Sequence, residues 1–290
     1  GLVATGDWTH PMWFREIERD LEEVEGGLLR LKSQIPNHNV QTNPNAKIQN
    51  SKQEEPLFLL ATEVSCIYSQ GGKGRRIHIL IWVPSIASAE KINKQMTKQG
   101  CNLLSDGRPI IGLSAIHVAE LVLSIEPKAL IIPAHAWTPW FSLYGSMSGF
   151  DSIDEAFGPF AKNIYAVETG LSSNPSMNWR IKELDNRSIL SFSDAHSGPK
   201  LGREATVFEI RDEHVREERD KHMITYQDIY DAIVKPNKRS HIAYTLEFYP
   251  EEGKYHYSGH RACNIRWGPK ETKEKGTACP VCGKSLTQGV

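Results

Sequence analysis

Carboxylate and imidazole side chains follow several short apolar runs of the sequence. They are Asp7, Glu63, His78, His135, Glu168, Asp194 and His196. If each run is a strand of a parallel barrel, the carboxyl ends of the strands bring these side chains to one face. Nitrogen and carboxylate ligands without thiolate suit two or three divalent ions such as Zn, Mn, Fe or Mg. Such ions polarise a phosphate and activate water, so the set predicts phosphoester hydrolysis.

Residues 193–197, Ser-Asp-Ala-His-Ser, carry the most specific pattern. An Asp-x-His spacing on extended backbone places the carboxylate of Asp194 and the imidazole of His196 on the same side. Glu63 also follows an apolar run, where a carboxylate is costly unless it is paired or metal-bound. We therefore expect catalytic roles for these three residues. The alternative for Glu63 and Glu168 is a salt bridge at the rim of the sheet, and His78 or His135 alone could be a packed histidine.

A second group of ligands lies near the end of the chain. His260 and Cys263 form one short-spaced pair, and fifteen residues later Cys279 and Cys282 form another. This spacing is typical of a zinc ribbon, in which two pairs close a tetrahedron around one Zn. A closed site of this kind stabilises folding, so we predict one structural Zn outside catalysis. His256 lies one turn away and could replace His260.

The elements that must position these residues alternate along the chain. The pattern predicts strands near 1–5, 57–64, 75–83, 129–134, 163–168, 188–193 and 204–210, and helices near 11–33, 87–99, 114–125, 151–157, 176–184 and 225–234. This alternation predicts an α/β fold with a mainly parallel sheet. Residues 34–56 lack apolar periodicity and are interpreted as a surface loop that could move over the site. We predict a catalytic domain over 1–242 and a zinc module over 243–290, which could continue beyond the chain end.

In their order, these motifs resemble those of the polymerase and histidinol phosphatase (PHP) superfamily. The Asp194-x-His196 pair resembles the late metal motif of that family, Glu63 its strand-end glutamate, and His78 and His135 its intermediate histidines. The resemblance implies a distorted, TIM-like (β/α)7 barrel with a trinuclear metal site at the carboxyl ends of the strands.

A narrower resemblance is to the endonuclease Q family. It rests on Thr5-Gly6-Asp7, on His-Ala-Trp-Thr-Pro-Trp at 135–140, on Glu-Thr-Gly-Leu-Ser at 168–172 and on the Cys/His module. It implies a metal-dependent DNA repair endonuclease that cuts on the five-prime side of hypoxanthine, uracil, xanthine or an abasic site. A small-molecule PHP phosphoesterase is one alternative, although it needs no zinc module. A non-catalytic, helicase-associated DNA-binding scaffold is the other.

The start of the chain departs from the PHP pattern. Asp7 stands where most members have a histidine, and their paired His-x-His motif lies upstream of Gly1. We expect the first strand to be missing with it, so this chain would bind fewer metals and would be weak or inactive.

Four residues near these motifs are candidates for substrate binding: Trp137, Trp140, Glu168 and Arg203. The two tryptophans, with Phe141 and Tyr144, could form an aromatic cluster beside the metals that holds an extruded base, or they could pack the mouth of the barrel. Arg203 could contact a phosphate or be a surface charge. Basic residues of the module, with Trp267, could bind DNA or form a solvated surface.

The charge and hydropathy of the chain bear on whether it can bind DNA or a membrane. Thirty-four basic and 35 acidic residues give a net charge of −1, so DNA binding would depend on local basic patches. No apolar run approaches the roughly eighteen residues of a membrane span, and clustered cysteines suit a metal site in a reducing compartment. We predict a cytoplasmic protein that binds damaged DNA and not a membrane. A helicase or replication clamp is conceivable as a partner, although the sequence contains no motif for one.

Overall fold

The computed structural model describes residues 1–33, 55–105, 108–211 and 224–290. The chain has a mixed α/β fold. Its strands are β1 (Leu2–Ala4), β2 (Leu21–Val24), β3 (Leu28–Leu31), β4 (Leu57–Gln70), β5 (Lys73–Val83), β6 (Ile110–Ile111), β7 (Leu130–Pro133), β8 (Ala166–Glu168), β9 (Ser188–Leu190), β10 (Ala205–Ile210), β11 (Ser240–Leu246), β12 (Ser258–His260) and β13 (Ile265–Trp267). Its helices are α1 (Pro11–Asp20), α2 (Ile86–Lys98), α3 (Ala115–Ile125), α4 (Ile153–Phe157), α5 (Pro175–Asn178), α6 (Tyr226–Val234) and α7 (Pro269–Lys275). Most of the loop predicted over 34–56 lies outside the described residues.

The central sheet is built around one long hairpin. Strands β4 and β5 pair antiparallel from Leu60 opposite Val83 to Gln70 opposite Lys73. Gly71 and Gly72, with φ values of 60° and 73°, form the two-residue turn between them, as hairpins with right-handed twist require. Strand β7 adds to β5 antiparallel, and the short β1 and β6 add to β4 parallel.

The predicted parallel character of the main sheet is therefore wrong. A two-residue turn can join only antiparallel strands, and an apolar run does not reveal the direction of its neighbour. Strands β8 and β9 do pair parallel, whereas β10 with β11 and β12 with β13 pair antiparallel. Within the described ranges, the strands form four separate sheets and do not close into one ring.

Two of the predicted helices are also wrong. The helix expected over 11–33 ends at Asp20, and a β2–β3 hairpin follows it. Its turn contains Gly26 and Gly27, with φ values of 93° and 80°, which a helix cannot contain. The helix expected over 176–184 is reduced to α5 and a 3-10 turn at Lys182–Leu184.

The other four predicted helices are confirmed as α2, α3, α4 and α6, each starting after a capping hydroxyl. The side chains of Ser85, Ser114, Ser152 and Thr225 accept a hydrogen bond from a backbone N–H of the first turn. Among the described residues, none of the helices is long and apolar enough to cross a membrane.

The central sheet is covered on both faces. Ile77, Ile79 and Ile81 of β5 belong to the same buried cluster as residues of α2, α3 and α4. Trp82 of β5 belongs to a second cluster, on the opposite face, with residues of α6. Because side chains alternate along a strand, His78 shares the face of Trp82.

Candidate metal centre

Glu63, His78 and His135 converge on one face of the central sheet. Glu63 Oε1 lies 2.8 Å from His78 Nδ1 and 3.3 Å from His135 Nε2, and the two imidazole nitrogens lie 3.1 Å apart. The pairing of β4 with β5 explains the contact between Glu63 and His78. His78 lies opposite Ser65, which is two residues beyond Glu63 and so on the same face. His135 joins them because β7, which pairs with β5, ends at Pro133. Side chains separated by up to 72 residues thus form one cluster.

The predicted location of Glu63 and His78 at strand ends is wrong, since both lie inside long strands. The β4–β5 hairpin nevertheless brings Glu63 and His78 together, because the face that carries them extends beyond the buried cluster that contains Trp82. His135, Glu168 and Asp194 do lie at or just after the ends of β7, β8 and β9.

The hydrogen bonds of the two histidines suit metal ligands. His78 Nε2 lies 3.1 Å from Ser65 Oγ, and His135 Nδ1 lies 3.0 Å from Thr138 Oγ1. A hydroxyl therefore holds the outer ring nitrogen of each imidazole, as is usual for metal-binding histidines. The inner nitrogens and the Glu63 oxygen all lie within 4.8 Å of one another, so one carboxylate and two imidazoles can hold a divalent cation.

Burial and charge act in opposite directions on these groups. Burial opposes the ionisation of Glu63, but hydrogen bonds from His135 and His78 hold its pKa well below the ordinary range. Burial lowers the pKa of His78. For His135 burial also acts downward, but the bond to Glu63 raises its pKa overall. The carboxyl of Glu63 is therefore ionised at neutral pH, which is the form that could bind a cation.

Asp7, Asp194 and His196 lie around this group of three and not within it. The backbone of Asp7, His135 and Asp194 has φ values of 37°, 31° and 42°, and these are three of the five non-glycine residues with positive φ in the described chain. Such backbone strain clusters at functional sites, where the surroundings must enforce it. Burial, followed by the nearby charge of Glu63, raises the pKa of Asp7.

Neighbouring side chains enforce these conformations. The Trp13 indole N–H donates to the carbonyl oxygens of Thr5 and Gly6, at 3.0 and 2.9 Å. Arg203 donates to the carbonyl oxygens of Ser193 and Asp194, at 2.8 and 3.3 Å. Arg203 thus holds the backbone of the Asp-x-His segment, and its predicted contact with substrate remains a prediction.

Glu168 lies behind His135. Only 3% of its surface is exposed, and its Oε2 accepts a hydrogen bond of 2.8 Å from the His135 backbone N–H. Burial raises its pKa to about 8. The residue therefore supports a candidate ligand, and its predicted role toward substrate is not tested by these contacts.

The two tryptophans predicted to bind substrate are engaged with other side chains. Trp137 stacks on Tyr144 with ring centroids 4.5 Å apart and donates to Asn178 Oδ1 at 2.8 Å. Trp140 meets Tyr255 edge-on at 6.3 Å, which links the segment after His135 to the C-terminal region. Phe141 packs closer to the cluster, with its ring centroid 4.8 Å from that of His78.

Sequence reasoning missed Arg108. Arg108 precedes the two-residue strand β6, and it reaches Glu63 only because β6 pairs with β4. Phe141 has a φ of 62°, unusual for a bulky residue. It belongs to the aromatic cluster that was expected beside the metals, and its ring does lie against His78.

The second ligand group assembles as the spacing predicts. Ligand atoms of His260, Cys263, Cys279 and Cys282 all lie within 4.8 Å of one another, and His260 Nδ1 is 3.5 Å from Cys282 Sγ. The other candidate, His256, instead places its Nδ1 3.3 Å from the Ser172 carbonyl oxygen. Three thiols and one imidazole are a donor set for tetrahedral Zn.

Backbone N–H groups favour the thiolate form of Cys279. Burial acts to raise the pKa of Cys279, but the backbone N–H groups of Cys282 and Val281 lower it to about 6. Gly283, with a φ of 73°, makes the tight turn that allows this. A thiolate is the form that binds metal.

Comparison with curated proteins finds relatives of undescribed activity. The chain is 33% identical over 240 residues to the uncharacterized protein YqxK of Bacillus subtilis, covering 80% of this chain and 54% of that protein. It is 34% identical over 158 residues to the uncharacterized protein MJ0043 of Methanocaldococcus jannaschii, covering 54% of this chain and 18% of that protein. The chain thus spans about half, or less, of these relatives. No family model matches it.

Solved structures give a more informative likeness. The lesion-specific endonuclease PfuEndoQ of Pyrococcus furiosus aligns with a TM-score of 0.74 and 28% identity, over 99% of this chain and 60% of that one. Endonuclease Q in complex with a 27-mer duplex that has an abasic lesion at the active site aligns with a TM-score of 0.75 and 28% identity, over 100% and 62%. The structure of this chain therefore resembles endonuclease Q, as its motifs predict.

Proposed function

We propose that this chain is the catalytic part of a metal-dependent endonuclease that nicks DNA on the five-prime side of a deaminated base or an abasic site. One observation carries the proposal: Glu63, His78 and His135 form a ligand cluster whose outer imidazole nitrogens are held by hydroxyls. The likeness to a lesion-specific endonuclease supports DNA as the substrate.

In this proposal, two or three Zn, Mn, Fe or Mg ions are held by the six ligands Asp7, Glu63, His78, His135, Asp194 and His196. When bound, the ions supply Lewis-acid activation of the phosphodiester. The chain supplies rigidity: Ser65 and Thr138 orient the two imidazoles, and Glu168 holds the His135 backbone. Preorganised ligands of this kind lower the cost of reorganisation during reaction.

The C-terminal region has a separate role in the proposal. Residues 243–290 form a module closed by one structural Zn, and residues 1–242 form a PHP-like catalytic domain. The Trp140–Tyr255 contact joins the two. In the proposal Trp137, Trp140, Glu168 and Arg203 shape the substrate site, which is supported by the contacts of Glu168 and Arg203 with the backbone of His135 and Asp194. Arg266 over Tyr257 adds basic and aromatic surface on the module, which suits a nucleic-acid partner. The expected role of Trp267 in DNA binding is wrong, because its side chain is only 8% exposed and packs inside the module.

A single gel tests the proposal. Because weak activity is expected of this chain, it is incubated in molar excess over the DNA, with Mn²⁺ or Mg²⁺ and end-labelled duplexes that carry hypoxanthine, uracil, an abasic site or no lesion. We expect a chelator-sensitive nick on the five-prime side of the lesion, which is lost in Asp194→Asn and retained in Asp185→Asn, a control at the solvent-exposed end of a 3-10 turn. Hydrolysis of a generic phosphomonoester without any nick would indicate a small-molecule phosphoesterase. Failure to cleave either substrate, with DNA binding retained, would indicate a scaffold.

A further inference from the structure

The guanidinium of Arg108 contacts three of the candidate ligands. Its Nη1 is 2.9 Å from Glu63 Oε1 and 3.0 Å from His78 Nδ1, and its Nη2 is 3.5 Å from His196 Nε2. Nη1 carries two N–H groups, so it can donate to the Glu63 carboxylate and, in the tautomer that has the His78 proton on Nε2 toward Ser65, to the Nδ1 lone pair of His78. Those two lone pairs are the ones that a divalent cation would take.

The charge around Arg108 explains why it lies there. Asp7, Glu63 and Asp194 all act on its guanidinium and help to raise its pKa, although its partial burial acts the other way. Glu63 and Asp194 also act on the buried Glu168. Carboxylates gathered this closely repel one another, and a permanent cation reduces that repulsion.

About 29% of the Arg108 side chain remains exposed, against 15% for Glu63. The guanidinium is therefore at the mouth of the cluster and within reach of a ligand that arrives from solvent. Its planar fork matches two oxygens of a phosphate, which a lysine ammonium does not.

We propose that Arg108 is an exchangeable cation of this site: it competes with the metal for Glu63 and His78, and metal binding releases its guanidinium to hold a non-bridging oxygen of the scissile phosphodiester. This inference rests on the proposed function, because it assigns a substrate contact to the same centre. It predicts that metal and phosphate bind cooperatively, since each favours the released position of the guanidinium.

The first test measures metal binding alone. Mn²⁺ is titrated into the chain and the free ion is counted by electron paramagnetic resonance, with Zn already bound at the cysteine site. Arg108→Gln removes the competitor, so its Kd for Mn²⁺ should fall about tenfold or more. Arg76→Gln is the matched control, because that arginine is exposed and lies over the Phe141 ring, 5.7 Å away; its Kd should match the wild type. Equal or weaker Mn²⁺ binding by Arg108→Gln would overturn the inference.

The second test measures inorganic phosphate binding by calorimetry, with and without Mn²⁺. In the wild type, Mn²⁺ should tighten phosphate binding, and Arg108→Gln should lose about tenfold of the affinity measured with Mn²⁺ present. Arg108→Lys keeps the charge without the fork, so it should bind Mn²⁺ nearly as the wild type does and still bind phosphate less tightly. Mn²⁺ binding by Arg108→Lys would show that its site is folded, so a loss of phosphate affinity in this variant cannot be attributed to misfolding.

The outcomes separate this inference from the proposed function. Phosphate affinity that is unchanged in Arg108→Gln would overturn the released position of the guanidinium. If all the proteins fail to bind Mn²⁺, both proposals are wrong, whereas lesion cleavage with equal Mn²⁺ affinity in wild type and Arg108→Gln overturns only this one.

Discussion

Gly170 lies directly against His135, and replacing it with alanine tests how tightly the ligand is positioned. Its φ is +64°, and an added Cβ would lie 2.6 Å from His135 Cβ and 2.9 Å from His135 Cα. Neither of those atoms can move without moving the imidazole or its strained backbone. We therefore expect Gly170→Ala to lose both stability and metal affinity.

The magnitude has two parts. An alanine in the left-handed region costs about 1–2 kcal/mol, and forcing an extra methyl group into packed surroundings costs roughly 1–3 kcal/mol more. The sum is a loss of about 2–5 kcal/mol in the free energy of unfolding. Gly72→Ala is a matched control: its φ is +73°, and an added Cβ there would meet no heavy atom of the described residues within 4 Å. Gly72→Ala should therefore lose only the roughly 1–2 kcal/mol of the left-handed conformation.

Urea unfolding followed by circular dichroism gives the two stabilities, and Mn²⁺ titration gives the two affinities. Gly170→Ala should be the less stable variant and should bind Mn²⁺ about tenfold or more weakly, whereas Gly72→Ala should bind it as the wild type does. Equal stabilities, or wild-type Mn²⁺ affinity in Gly170→Ala, would refute the argument that Gly170 positions His135.

Three further predictions concern separate parts of the molecule. Ser65→Ala should weaken Mn²⁺ binding about tenfold or more, because it removes the hydroxyl that orients His78; Ser69→Ala, on the same strand, should leave the affinity measured by titration unchanged. His260→Ala should lose the bound Zn that mass spectrometry detects, whereas His256→Ala should keep it, and the reverse result would assign the fourth ligand to His256. Burial raises the pKa of Glu204 from 4.5 to about 7, so the folded chain holds a proton there that the unfolded chain has released. The free energy of unfolding should therefore fall as pH rises across that window, and urea unfolding at several pH values should show a flatter dependence in Glu204→Gln; an unchanged slope would contradict this assignment.

Several features of the site could be predicted because they depend on short spacing. The Cys/His module assembles with the four ligands that its two pairs predict, because each pair needs only one tight turn. The position of His135 after a buried strand follows from an equally local rule. Glu63 and His78 also belong to the site, although they meet across an antiparallel strand pair and not at strand ends.

Strand direction and long-range pairing could not be predicted in the same way. Alternating apolar residues specify which face of a strand is buried, but they carry no information about which strand lies beside it. The Gly71–Gly72 turn was the signal for the β4–β5 hairpin, and the apolar runs on either side of it also suited separate parallel strands. Likewise, the helix expected over 11–33 depended on apolar periodicity that continued across Gly26 and Gly27.

The residue types in the sequence indicate the chemistry of the two candidate metal sites: imidazole and carboxylate for one, thiolate and imidazole for the other. The three-dimensional fold was needed to show that Glu63 and His78 meet across an antiparallel strand pair, that Gly170 packs against His135, and that Arg108 contacts the cluster. The physical reason is that ligand type is a property of each side chain, whereas a distance of about 3 Å between residues far apart in the chain depends on the packing of every element between them.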